Sequence, residues 1–188
     1  MKRRIEVSLG FCSLVCILGW IELRICLFFL VSLLVHELGH VVCIRLFRID
    51  IYGISLKIVG VVIRHGVCSY GQEIICAAAG PFASMLLALL VLRRLPELAV
   101  ISGALAAVNL LPIYPLDGGR ILRSVLLGKM EEQRVVQLLS RVTFVLCCLL
   151  MTLACWLTAV MQMGIWPVFL VLVILCRVGD AGWSETKI

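Results

Sequence analysis

His36-Glu37-Leu38-Gly39-His40 has the pattern H-E-x-x-H. On a helix, positions i and i+4 lie on one face, so two imidazoles can hold one zinc ion with the Glu37 carboxylate beside it. A catalytic zinc takes three protein ligands and keeps its fourth position for water, so a third ligand is required. Asp117 is the best candidate, because Asn109-Leu110-Leu111-Pro112-Ile113-Tyr114-Pro115-Leu116-Asp117-Gly118-Gly119 cannot stay a regular helix and can turn a carboxylate inward. Zn2+ with Glu37, Asp117 and two neutral imidazoles sums to zero charge, which relieves the burial penalty each ion would face alone. Asp117 could also be an ordinary solvated turn carboxylate. His65 and Cys43 are weaker candidates, the one reading as a loop histidine and the other as packing. Zinc acidifies water and polarises a carbonyl, while Glu37 can take the water's proton and pass it to a leaving amine. Those are the parts of peptide hydrolysis. Asn109 offers two donors and one acceptor for a substrate backbone or a developing oxyanion, and equally for an interhelical hydrogen bond.

The solvent for this chemistry follows from composition. Of 188 residues, 63% are hydrophobic and 15% charged, with a mean hydropathy of +1.15. Soluble domains hold about 45–50% apolar and about 25% charged residues, so an aqueous fold is excluded. The net charge of +6 comes from basic residues flanking apolar runs, with no aromatic-interleaved patch for nucleic acid. Ten cysteines occur without a C-x-x-C pair and read as small buried hydrophobes.

Runs of about 20 apolar residues predict membrane helices. Six spans are expected, at 5–21, 23–47, 74–92, 98–116, 135–160 and 164–178, in one membrane-embedded domain over 1–188. The fold class is thus all-α and polytopic, with a short β-hairpin region at 49–70, where Ile54, Leu56 and Ile58 alternate with Ser55 and Lys57. The last two spans come from a long uncharged run, Val142 to Cys176, divided at Gly164-Ile165-Trp166-Pro167. An even count puts both termini on one side. Lys and Arg favour cytoplasmic loops, and a cytoplasmic N-terminus leaves only Arg24, Arg93 and Arg94 outside. His36, Glu37 and His40 then fall inside a span, where an ionisable residue costs about 2.5–3.5 kcal/mol and needs a compensating partner.

His36 to His40 in one span, Ala79-Gly80-Pro81 in the next and Asn109 to Gly119 in the one after resemble the site-2 protease family of intramembrane zinc metalloproteases, peptidase family M50. Over residues 5–178 the layout looks most like the stage IV sporulation protein FB branch, without its CBS domain. The resemblance implies that His36, His40 and Asp117 bind zinc, that Glu37 is the general base and that Asn109 holds substrate. It also implies a substrate in the bilayer, such as a transcription factor precursor or anti-sigma factor, in a bacterial cell membrane, with homo-oligomers compatible. Ser84 departs from the family, in which many members have Asn after Gly-Pro. The rival reading is a non-catalytic zinc-binding or zinc-transporting membrane protein, which needs no general base.

Overall fold

The computed structural model describes residues 4–7, 16, 19, 20, 22–57, 60–66 and 68–160, with positions 168, 171, 172, 174–176 and 178. The chain divides into two compact units, Met1–Leu111 and Pro112–Ile188.

In the first unit the described elements are β1 (Arg4–Val7), α1 (Leu23–Leu46), β2 (Ile51–Lys57), β3 (Gly60–His65), α2 (Tyr70–Val91) and α3 (Pro96–Asn109). Helix α1 is uniformly apolar in composition but sorted by face. Cys26, Leu33, His36, His40 and Cys43 are buried along one stripe, while Leu27, Val31, Leu34, Leu38 and Val42 are exposed along the other. Helix α2 buries small residues, Ala77, Gly80, Ser84 and Ala88, and exposes Phe82, Met85, Leu86, Leu89 and Leu90. Small and polar groups inside with large apolar groups outside is the order expected in lipid, where close backbone approach and hydrogen bonds hold helices together.

The contacts fix helix directions. His40 meets the Cys76 carbonyl and His36 meets Ser84, so α1 and α2 run antiparallel. A Cβ on Gly39 would lie 2.5 Å from the Ala79 carbonyl oxygen and 2.9 Å from the Ala83 Cβ, so only glycine permits this approach. Arg24 pairs with Glu97 at 3.2 Å, and Ser32 shares a 2.7 Å hydrogen bond with Ser102, so α3 runs parallel to α1. Below His40, Cys43, Ile44 and Cys76 form a small core with Phe47, Ile49 and Ala79 against it. Ser69 caps α2 reciprocally with Gln72, accepting from its backbone N–H while the Gln72 side chain accepts from the Ser69 N–H.

The strands form a three-stranded sheet in the order β1-β2-β3, with β3 antiparallel to β2 and β1 parallel to it, Arg4 opposite Gly53 and Val7 opposite Leu56. A parallel neighbour needs a long crossover, which the segment containing α1 supplies. This corrects the span expected at 5–21: Ile5, Glu6 and Val7 belong to a strand, because the outer edge of β2 offers backbone partners that an apolar run cannot reveal by itself. Cys16, Gly19 and Trp20 are helical, and the rest of that span lies outside the described residues. The span expected at 98–116 is also corrected. Its helix begins at Pro96, a residue suited to the first turn, and ends at Asn109, since Pro112 lacks a donor and disfavours helix in the residue before it. Fourteen residues rise about 21 Å, short of a bilayer's hydrocarbon core of about 30 Å.

The second unit contains α4 (Asp117–Leu127) and α5 (Glu132–Val160). Helix α5 buries Val135, Leu139, Thr143, Cys147 and Ala154 on one stripe and exposes Phe144, Val145, Leu149, Leu153 and Trp156. Arg123 of α4 and Glu132 of α5 pair at 3.2 Å. Most of the span expected at 164–178 lies outside the described residues. Among the described residues, α1, α2 and α5 are long and apolar enough to cross a membrane, so the chain is mostly helical with three such helices. No disulfide links the described cysteines.

Candidate metal centre

Both motif histidines lie on the buried face of α1, at 3% and 6% exposure, where charge would be costly and each ring nitrogen needs a partner. His40 Nδ1 lies 2.8 Å from the backbone carbonyl of Cys76. A carbonyl only accepts, so this Nδ1 carries the hydrogen and the Nε2 lone pair faces away from it. Gly80, one turn further along α2, makes room for the ring: a Cβ there would overlap His40 Nε2, Cε1 and Cδ2. His36 Nδ1 lies 3.0 Å from the Ser84 hydroxyl, which is completely buried. The rings meet edge to face at 80°, with centroids 5.0 Å apart and the two Nε2 atoms 3.3 Å apart.

That spacing fits zinc. Two imidazoles at Zn–N distances of 2.0–2.1 Å on a tetrahedral ion would hold their nitrogens about 3.4 Å apart. Each histidine also has its other nitrogen occupied, as metal-binding histidines nearly always do. Glu37 is half-buried on α1 between them in sequence.

Asn109 is the last residue of α3 and is buried; its Nδ2 donates to the Leu105 carbonyl at 2.9 Å. Asp117, at 4% exposure, is the first residue of α4, where the positive end of the helix dipole favours a carboxylate. Arg120 approaches its Oδ1 at 3.6 Å. The backbone before Asp117 is tightly turned. Leu116 N–H donates to the Ile113 carbonyl at 2.7 Å, and Tyr114 N–H donates to Thr143 Oγ1 of α5 at 3.2 Å. A Cβ on Gly119 would lie 2.5 Å from Ile113 and Tyr114 backbone atoms, which explains why the Leu-Asp-Gly-Gly run ends in glycine. Cys43 sits in the small apolar core, and His65 ends β3.

The motif spacing did not reveal Ser84, the Cys76 carbonyl, Gly80 against His40, or Arg120 beside Asp117. The small residues at 77, 80, 84 and 88 of an otherwise large-residue helix were the available signal for the first three.

Comparison with known proteins gives the same picture. Residues 91–150 match the model of peptidase family M50, a stretch that includes Asn109 and Asp117. A zinc metalloprotease of Methanocaldococcus jannaschii is 32% identical over 123 residues, covering 58% of this chain and 36% of the relative. Stage IV sporulation protein FB of Bacillus subtilis is 29% identical over 171 residues, covering 83% of this chain and 58% of the relative. The chain thus spans between about a third and three-fifths of these relatives' lengths. The solved site-2 protease from Methanocaldococcus jannaschii superposes with a TM-score of 0.73 at 22% identity, over 96% of this chain and 91% of that one, so the fold is shared. The resemblance read from the motifs is borne out: part of the chain matches the model of peptidase family M50, its sequence is similar to these two proteins, and its fold is that of the solved site-2 protease.

Proposed function

We propose that the protein is an intramembrane zinc metalloprotease that hydrolyses peptide bonds of membrane-associated proteins near the cytoplasmic face. The observation that carries this reading is the 3.3 Å approach of His36 Nε2 and His40 Nε2, with each Nδ1 held by a partner of its own. His36, His40 and Asp117 are the proposed ligands of one zinc ion; the burial of the Asp117 carboxylate, at the first residue of α4, supports the third assignment. Zinc, when bound, supplies Lewis acidity toward water and toward a carbonyl. Glu37 removes the water's proton and delivers it to the leaving amine, so one carboxylate serves as base and then acid. Asn109, whose amide has two hydrogens, steadies the substrate backbone or its developing oxyanion. The large apolar residues outside and polar ones inside exclude bulk water and strengthen each of these interactions.

A substrate helix keeps its carbonyls shielded until it unwinds. The substrate in this reading is a single-span membrane protein, such as a transcription factor precursor or an anti-sigma factor. The protein itself is read as a multi-pass protein of a bacterial cell membrane, with both termini cytoplasmic.

The test is metal analysis of purified protein combined with cleavage of reconstituted single-span substrates. Glu37→Gln should bind zinc like the wild type and lose at least about 100-fold in cleavage rate, the scale of a lost general base. Zinc binding with no chelator-sensitive cleavage of any substrate, together with zinc flux across vesicles, would support the carrier reading instead.

A further inference from the structure

The two histidines are oriented by unlike partners. His40 is held by a backbone carbonyl, which leaves its ring a single neutral tautomer, Nδ1–H with a lone pair on Nε2. His36 is held by the Ser84 hydroxyl at 3.0 Å, and a hydroxyl can accept or donate by rotating about its C–O bond. Ser84 has no exposed surface, so no bulk water substitutes for it.

The 3.3 Å contact between the Nε2 atoms makes this difference matter. In one tautomer of His36, Nε2–H donates to His40 Nε2, and Nδ1 then accepts from the Ser84 O–H. With an ion, both Nε2 atoms present lone pairs; His36 carries its hydrogen on Nδ1, and the Ser84 oxygen accepts it. One hydroxyl rotation therefore accompanies the proton's move from one side of the His36 ring to the other. A methyl group at this position satisfies neither arrangement and leaves a buried N–H without its acceptor in the metal-binding form, at the cost such groups carry.

We infer that Ser84 is the positioning residue of His36, selecting the tautomer and ring orientation in which Nε2 binds the metal. This rests on the proposed zinc site, and the experiment separates the two. Full-length protein in detergent micelles is titrated with Zn2+ against a chromophoric chelator and with Co2+ by its visible absorption, for wild type, Ser84→Ala and Ser84→Thr. Ser84→Ala should keep the wild-type helical content but bind Zn2+ about 10- to 100-fold more weakly, with a weakened tetrahedral Co2+ band. Ser84→Thr keeps the hydroxyl and should recover most of the affinity. Wild-type Zn2+ affinity in Ser84→Ala, even with a lowered melting temperature, would overturn the inference and leave the zinc site standing. Equal losses in Ser84→Ala and Ser84→Thr would overturn it too, since the hydroxyl would then not be the cause. If the wild type itself binds neither Zn2+ nor Co2+, the metal site fails and this inference falls with it.

Discussion

Glycine 80 shows how little room the site has for error. In an exposed helix, Gly→Ala gains about 1 kcal/mol from propensity. At Gly80 the added methyl would occupy the His40 ring's place, so the ring must turn off the Cys76 carbonyl or the helices must part. Gly80→Ala should therefore weaken Zn2+ binding by about tenfold or more, the scale for losing a ligand's support, despite the better helix former. Affinity at or above the wild-type value in a chelator competition would show that the ring has a second, equally good seat. Asp117 calls for a different expectation: Asp117→Asn keeps the size and the turn but removes a charge, so zinc loss without loss of helical content is expected. Unchanged zinc stoichiometry and affinity in that variant would remove it from the ligand set.

The elements divide between those that a chain of letters reveals and those that need a partner. Helix α1 was legible with its chemistry, because H-E-x-x-H has meaning at helical spacing and three ionisable residues in an apolar run demand a reason. The end of α3 at Asn109 was legible in kind, since two prolines forbid a continued helix, though not in its early stop. Strand β1 was not legible: its stabilisation comes from Gly53 to Leu56, far along the chain, and Ile5 and Val7 suit a strand or an apolar span alike. Ser84 was visible as a small residue after Gly80-Pro81 but not as a partner of His36, because that depends on the antiparallel stagger of α1 and α2. The sheet also narrows where an extended substrate could add. Strand β2 is flanked on both sides, which leaves the outer edges of β1 and β3 among the described strands. Strand addition to β3 would use alternate backbone groups, so proline at successive positions Val61, Val62 and Ile63 should give an alternating result. Positions whose N–H faces β2 should destabilise the sheet; those facing outward should leave it folded yet cut cleavage of a reconstituted substrate severalfold. Full cleavage at every folded proline variant would exclude β3 as the docking edge.

The largest-scale expectation concerns which way the helices of the first unit face. Antiparallel α1 and α2 place Arg24, Arg93, Arg94 and the Arg24–Glu97 pair at one end, and Arg45, Arg48 and the sheet with Lys57 and Arg64 at the other. The Arg24–Glu97 pair is about half exposed and adds little stability, so charge at that end bears on orientation more than on folding. Lys and Arg favour the cytoplasmic side, and the orientation proposed above, with both termini cytoplasmic, puts the sheet end there. His40 stands six residues before the end of α1, roughly 9 Å from that side at 1.5 Å per residue. Hydrolysis would then occur at shallow depth, where water has a short path and a cleaved cytoplasmic segment can leave. A peptide tag inserted between Arg94 and Leu95 should bind antibody on intact spheroplasts, whereas one inserted between Lys57 and Gly60 should bind only after permeabilisation. The opposite pattern would put the proposed site near the outer face, and a substrate released into the cytoplasm would no longer follow from its position.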